Sequence, residues 1–136
     1  MVKRELQQLR RQQEHSFQYT ENITVLRENK KIVGLYSCQE EGESLDNGIY
    51  IWNLCVSPKS RGKGYGTKLT QHAIKSCSKA GHELKLLVYK DNTRAQYIYK
   101  KQGFKFDNWD YDVDSEENFY NKHRMKFIKK ALPHQD

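Results

Sequence analysis

The chain has no long apolar run: no window approaches the roughly 18 apolar residues that a membrane-spanning helix needs. Its start, Met1-Val2-Lys3-Arg4-Glu5, lacks the apolar core of a secretory signal. These absences set the expectation of a soluble, intracellular (cytoplasmic) protein with no membrane partner. Cysteine is also scarce. Cys38, Cys55 and Cys77 are an odd number without CxxC spacing, so neither a disulfide framework nor a zinc site is indicated, no metal is expected, and the thiols read as reduced and mostly buried. Aliphatic residues are few as well. Leu, Ile, Val and Phe make 29 of 136 residues, just above the composition at which highly charged chains stay disordered. Nine Tyr, two Trp and five Phe offset this, because each buries a large area. At this length one domain over 1–136 is expected. The net charge of +7 points to an anionic partner, whether nucleic acid, a membrane surface or a phosphorylated small molecule, without choosing among them.

Along the chain, Val2, Leu6, Leu9 and Gln13 recur at helical spacing with Lys3, Arg4, Arg10 and Arg11 around them, predicting a short amphipathic helix over about 2–14. Ile23–Arg27 and Ile32–Cys38 flank the turn-like Glu28-Asn29-Lys30-Lys31 and read as a β-hairpin. Ile49–Val56 is apolar on both alternating faces, as a strand covered on both sides should be, and stops at Ser57-Pro58. Helices follow over 64–79, ending at Gly81, and over 93–102, closed by Gly103; Leu84–Tyr89 lies between them as a strand. Two more strands are expected at Phe104–Val113 and Arg124–Lys129. The order predicts an α/β fold whose sheet is antiparallel at first, with a right-handed crossover in the middle.

The chemistry concentrates in Val56-Ser57-Pro58-Lys59-Ser60-Arg61-Gly62-Lys63-Gly64-Tyr65-Gly66, between a buried strand and a helix. Glycines at 62, 64 and 66 let backbone N–H groups approach an anion, the helix N-terminus adds partial positive charge, and Arg61 and Lys63 add full charges. A dinucleotide-binding G-x-G-x-x-G fails, since Thr67 or Leu69 stands where its last glycine belongs. A P-loop fails too, because Gly66 precedes Thr67-Lys68. A flexible surface turn is the bland alternative, and the strand-turn-helix context weighs against it.

Arg61-Gly62-Lys63-Gly64-Tyr65-Gly66 is similar to the Q/R-x-x-G-x-G/A signature of the GCN5-related N-acetyltransferase (GNAT) superfamily, and Asn92-Thr93-Arg94-Ala95-Gln96-Tyr97-Ile98-Tyr99-Lys100-Lys101-Gln102-Gly103-Phe104 resembles its N-x-x-A-x-x-x-Y-x-x-x-G-F element. The resemblance spans about residues 22–130. It implies a mixed, mostly antiparallel twisted sheet with flanking helices and a splayed central strand pair. It also implies acetyl-CoA as cosubstrate, with transfer of the acetyl group to a primary amine by direct attack in a ternary complex. The pantetheine arm would lie along Leu54-Cys55-Val56, the pyrophosphate on the N–H groups of Arg61, Gly62, Lys63, Gly64, Tyr65 and Gly66, and Asn92 would meet a pantetheine amide. Tyr99 is carried over as the general acid, a role suited to a hydroxyl of pKa near 10 facing a thiolate.

Two departures follow. The strand before the turn reads Tyr50-Ile51-Trp52-Asn53, so the carboxylate that several family members use there as base is replaced by Trp52 or Asn53. Asp46, Asp110, Asp112 and His123 are the fallback candidates. Only about 20 residues precede the hairpin, so the first strand and one helix of the family fold are expected to be shortened or missing. That leaves the acceptor side more open, or completed by a partner chain, with a homodimer as the candidate assembly. Asp107, Asp110, Asp112, Asp114, Glu116 and Glu117 place six acids in eleven residues. As a rim to the acceptor site they would attract a cationic small amine or a protein amine, with Trp109 and Tyr111 as cation-π partners; as a solvated loop they would do nothing specific. The alternative function is a non-catalytic basic module that binds nucleic acid or holds CoA structurally. The sequence carries no RNA-binding or helix-turn-helix signature in its favour.

Overall fold

The computed structural model describes residues 15–20, 22–40, 48–79, 81–107 and 121–128. The helix expected over 2–14 lies outside these. Seven strands form one sheet: β1 (His15–Thr20), β2 (Ile23–Glu28), β3 (Lys31–Glu40), β4 (Ile49–Val56), β5 (Glu83–Tyr89), β6 (Lys105–Asp107) and β7 (Lys122–Ile128), in the order β1-β2-β3-β4-β5-β7-β6. All neighbours are antiparallel except β4 and β5, which are parallel and connected through α1 (Tyr65–Cys77). A second helix, α2 (Thr93–Lys101), links β5 to β6. The mixed, mostly antiparallel sheet with flanking helices is the one expected. No helix among the described residues is long and apolar enough to cross a membrane.

The hairpin closes as its sequence suggests. Asn29 takes the left-handed conformation (φ 57°) that a tight two-residue turn demands and that Asn tolerates. A short strand not assigned from sequence, β1, pairs in register with β2 from His15↔Glu28 to Thr20↔Ile23. Residues 21 and 22 alone separate the two strands. β1 was not read from the sequence although Phe17 and Tyr19 alternate with Ser16, Gln18 and Thr20; the run is short and exposed at most positions.

One face of the sheet and the two helices share the core: Leu26, Val33 and Tyr36 from the hairpin, Ile49 and Ile51 from β4, Leu84, Leu86 and Val88 from β5, Leu69 and Ala73 from α1, and Met125 from β7. α1 starts at Tyr65, with Gly64 as its left-handed cap, and ends at Cys77, four residues before Gly81; Ser78 turns extended, and both its backbone N–H and its hydroxyl bond to the carbonyl of Ile74. Gly34 is where β3, β4 and α1 come closest. A Cβ there would stand 2.5 Å from Leu69 Cδ1 and 2.8 Å from the Cys55 carbonyl oxygen.

Because Leu69 is fully buried and the Cys55 oxygen is main chain, neither neighbour can step aside. Gly34→Ala is therefore expected to destabilise the fold by about 1–3 kcal/mol, seen as a lower denaturant midpoint at unchanged slope; a midpoint equal to that of the parent would show the contact to be slack.

Candidate active site

β4 is buried on both faces only at Ile49, Tyr50 and Ile51; from there Asn53 and Cys55 are exposed, contrary to the expectation of a strand covered throughout. The cause is Asn53, which adopts φ 60°. Against β3, Ser37 faces Trp52 and Leu35 faces Cys55, so Asn53 and Leu54 together oppose the single residue Tyr36. This is a β-bulge, and it bends the strand. On the other side, β4 pairs with β5 only through Ile49↔Leu84, Tyr50↔Lys85 and Ile51↔Leu86. Beyond Ile51 the two parallel strands part, while β5 continues alongside β7 to Tyr89↔Lys122. The backbone edge of Leu54-Cys55-Val56 that faces β5 is thus left without a strand. The opening lies at the carboxyl ends of two parallel strands, the place where α/β sheets bind ligands.

A cavity of about 690 Å³ fills this opening, within the range of small-molecule sites. Its walls include Leu54, Cys55, Val56, Arg61, Gly62, Gly64, Tyr65, Gly66, Asn92 and Tyr99, ten of the eleven residues singled out from sequence. Lys63 is the exception: it is exposed, off the wall, and acts electrostatically on Glu28.

The turn that borders the cavity is built locally. Pro58 opens a single 3-10 turn, Pro58–Ser60, closed by Ser60 N–H to the Ser57 carbonyl (2.9 Å), and Ser57 N–H bonds back to Val33 on β3 (2.8 Å). Gly62 and Gly64 then take φ 82° and 83°, and a Cβ added at either would meet nothing within 4 Å; glycine is needed there for the backbone angle and not for space. The first helical bond of the turn is Lys68 N–H to Gly64 (3.1 Å), so the N–H groups of Gly66 and Thr67 have no helical acceptor, no side chain caps the helix, and no acid stands in the first turn. Such an end attracts an anion.

Tyr65, read from sequence as part of the phosphate turn, turns its side chain elsewhere. Its hydroxyl donates to Glu28 Oε2 (2.6 Å) and lies 3.1 Å from His15 Nε2, and the ring meets His15 edge-on. The hydroxyl holds the Glu28 carboxyl below its usual range. The motif's tyrosine therefore pins the start of α1 to β1 and β2. No local sequence signal separates these two uses of one residue.

On the opposite wall, Asn92 caps α2, its Oδ1 accepting from Ala95 N–H (3.1 Å), which leaves the Nδ2 donor free to turn to the cavity. Gln96, missed from sequence, is buried and donates to the carbonyls of Tyr89 (3.0 Å) and Lys90 (3.1 Å), fixing α2 to the end of β5. Arg94 and Tyr97, on the exposed side of α2, also border the cavity and were not singled out. Tyr99 is only 7% exposed, its ring edge-on to Phe104 at 6.0 Å, and its hydroxyl has no hydrogen-bond partner among the described residues. Burial, with a smaller contribution from nearby Cys55, pushes that hydroxyl up to about 12.

The acid-base candidates divide. His123 is half-buried on β7 against the ring of Phe106 (4.9 Å) and does not reach the cavity wall. Asp46, Asp110 and Asp112 lie outside the described residues, as do Asp114, Glu116, Glu117, Trp109 and Tyr111. Among the described residues no carboxylate or histidine lines the cavity. Trp52 stacks on buried Tyr50 (5.3 Å), so an aromatic pair stands where a strand-borne acid was sought. Asp107, first of the acidic run, pairs with Arg124 (2.6 Å) and Lys126 (3.7 Å) and is neutralised within the sheet instead of facing an acceptor.

The chain is 32% identical over 77 residues to GCN5-related N-acetyltransferase 6, chloroplastic, of Arabidopsis thaliana, covering 56% of this chain and 27% of that protein. It is 34% identical over 83 residues to mycothiol acetyltransferase of Jonesia denitrificans, covering 60% and 26%. It thus spans about a quarter of the length of these relatives. Among solved structures, Arabidopsis thaliana Naa50 in complex with the bisubstrate analogue CoA-Ac-MVNAL superposes with a TM-score of 0.61 at 25% identity, covering 95% of both chains. YncA of Salmonella typhimurium with acetyl-CoA gives 0.63 at 17% identity, covering 97% of this chain and 75% of that one, a likeness of fold alone. The family model for acetyltransferases of the GNAT type matches residues 2–104, three quarters of the sequence, and the chain belongs to the acetyltransferase (GNAT) family.

Proposed function

We propose that the chain binds acetyl-CoA in the cavity between β4 and β5 and transfers its acetyl group to a primary amine by direct attack in a ternary complex. The observation that carries this reading is the convergence on one cavity of three groups: the backbone edge of Leu54–Val56 left by β5, the N–H groups of Gly66 and Thr67 in the uncapped first turn of α1, and the unpartnered hydroxyl of Tyr99. Each suits a different part of one molecule. The strand edge bonds a pantetheine arm as an added strand, the helix end and Arg61 hold a pyrophosphate, and Asn92 Nδ2 donates to an amide of the arm. The Naa50 and YncA structures, which contain a CoA-based analogue and acetyl-CoA, support the same ligand class.

In this reading the N–H groups near Val56 stabilise the negative charge that develops on the thioester oxygen when a neutral amine attacks. Tyr99 donates its proton, or a hydrogen bond, to the departing thiolate. Burial keeps its hydroxyl protonated over the whole working range of pH, and because a hydroxyl raised to about 12 is a weaker acid than a thiol of pKa about 8.5, its main part is a hydrogen bond to the departing thiolate. An amine of pKa about 10.4 must arrive neutral; with no base on the described wall, its proton goes to solvent or to a group outside the described residues. The acceptor is a primary amine of a cationic small molecule or of a protein. A complex of Naa50 with a CoA–peptide analogue favours the protein amine as the first arm to assay.

Thiol release from acetyl-CoA is expected with at least one member of a panel of polyamines, aminoglycosides, amino acids and peptides; no release with any of them from folded protein would sink the reading in favour of structural CoA binding. Tyr99→Phe is expected to lower kcat by a factor of about 10²–10⁴ with little change in acetyl-CoA affinity, and an equal loss in both would remove the acid role. Arg61→Ala is expected to raise the KM for acetyl-CoA with kcat nearly kept, since it acts on binding alone. Because the folded-state pKa of Tyr99 lies above its ordinary value near 10, its contribution to stability is complete below pH 10 and is lost as pH rises to about 12. Urea titrations should show the parent losing about 2 kcal/mol more than Tyr99→Phe across that window; parallel curves for the two would mean that the hydroxyl is not buried as described.

A further inference from the structure

A second cavity, of about 420 Å³, lies away from the proposed active site, between the β1–β3 strands and the carboxyl-terminal half of α1. Phe17 and His72 form one side of it, stacked at 3.8 Å, and the Tyr36 hydroxyl is hydrogen-bonded to His72 Nδ1 at 2.6 Å. Two of the three cysteines border it: Cys38, half-buried on β3, and Cys77, the last residue of α1. Cys77 belongs to the buried core and Cys38 packs against that core from β3. The third, Cys55, is exposed in the other cavity.

We propose that Cys38 and Cys77 are an oxidisable pair, a modification site for hydroperoxides in which Cys38 is attacked first and Cys77 closes a disulfide between β3 and the end of α1. The cavity admits a molecule the size of hydrogen peroxide to two thiols that packing otherwise shields. The surroundings divide the roles: the Cys77 thiol lowers the Cys38 thiol below its usual range against the opposing effects of burial and Glu40, and Lys79 adds to the lowering. The same interaction, with burial, pushes Cys77 up, while Tyr36 acts in the other direction. Cys38, half-buried, is also the more accessible of the two thiols, and Cys77 is buried, so Cys38 meets the peroxide first and Cys77 is the resolving thiol. In the first step the Cys38 thiolate attacks one peroxide oxygen, the O–O bond breaks, and hydroxide leaves, giving a sulfenic acid. In the second step the Cys77 sulfur attacks the Cys38 sulfur, the S–O bond breaks, and water leaves with the Cys77 proton. The two sulfurs lose two electrons and the peroxide gains them. The pair is independent of the acetyl-transfer reading.

The test treats the full chain with hydrogen peroxide, blocks remaining thiols with N-ethylmaleimide, and maps the peptides by mass spectrometry. The expected result is a Cys38–Cys77 cross-linked peptide with Cys55 alkylated, reversed by dithiothreitol, together with a thermal midpoint raised by several degrees, because closing a loop of this size restricts the unfolded chain. In Cys77→Ser, dimedone should instead capture a sulfenic acid at Cys38. Full alkylation of both residues after treatment, a bond to Cys55, or overoxidation of Cys38 in the parent without a cross-link would each overturn the proposal. Absence of the dimedone adduct in a folded Cys77→Ser would overturn the order of attack.

Discussion

The left-handed backbone at Asn53 is the constraint on which the site depends. A strand in the middle of a sheet normally gives up both edges to its neighbours, and β4 does so as far as Ile51. At Asn53 one extra residue enters against β3, the strand bends, and the β5 side is released while the β3 side stays paired. Asn is among the few residues that take this conformation at modest cost. Without the bulge, Trp52 to Leu54 would continue the register of Ile51↔Leu86 and pair with Leu87 to Tyr89, and the sheet would close over the space that now holds the cavity.

The remaining parts of the site are arranged around that opening and are held from behind. Gly34 lets β3, β4 and α1 approach to a distance that admits no side chain, which sets the depth of the helix against the bent strand. Tyr65 fastens the first turn of α1 to Glu28 and His15, and Gln96 fastens α2 to the end of β5. The uncapped helix end on one wall and the capped Asn92 on the other are thereby fixed relative to each other. Tyr99 reaches the same space from within the core, and the burial that packs it also keeps it protonated.

Much of this was legible in the residues. The turn from Val56 to Gly66 stood out by its glycines and its place between strand and helix, and the family resemblance carried by that turn and by the Asn92–Phe104 element implied eleven residues, ten of which line one cavity. What was not legible depended on partners distant in the chain. The Tyr65 side chain is claimed by residues 37 and 50 positions earlier. Asp107 read as one of a run of acids and is instead neutralised by Arg124 and Lys126 across a strand pair. β1 was missed although Phe17 and Tyr19 alternate with polar residues, because the partners of that face, such as His72 against Phe17, lie far along the chain, and Cys55, on a strand expected to be covered on both sides, is exposed beyond the bulge.

By itself the sequence determined the order of strands and helices, the phosphate-type turn and the family resemblance, since each rests on short-range periodicity or on residues whose backbone preferences are intrinsic. Only the tertiary structure decided where β4 leaves β5, which side chains of the motifs face the ligand space, and that Cys38 and Cys77 share a second cavity. These are properties of pairing register and of contacts between segments tens of residues apart, and a pattern of local preferences does not encode which distant group will satisfy a given hydroxyl, carboxylate or thiol.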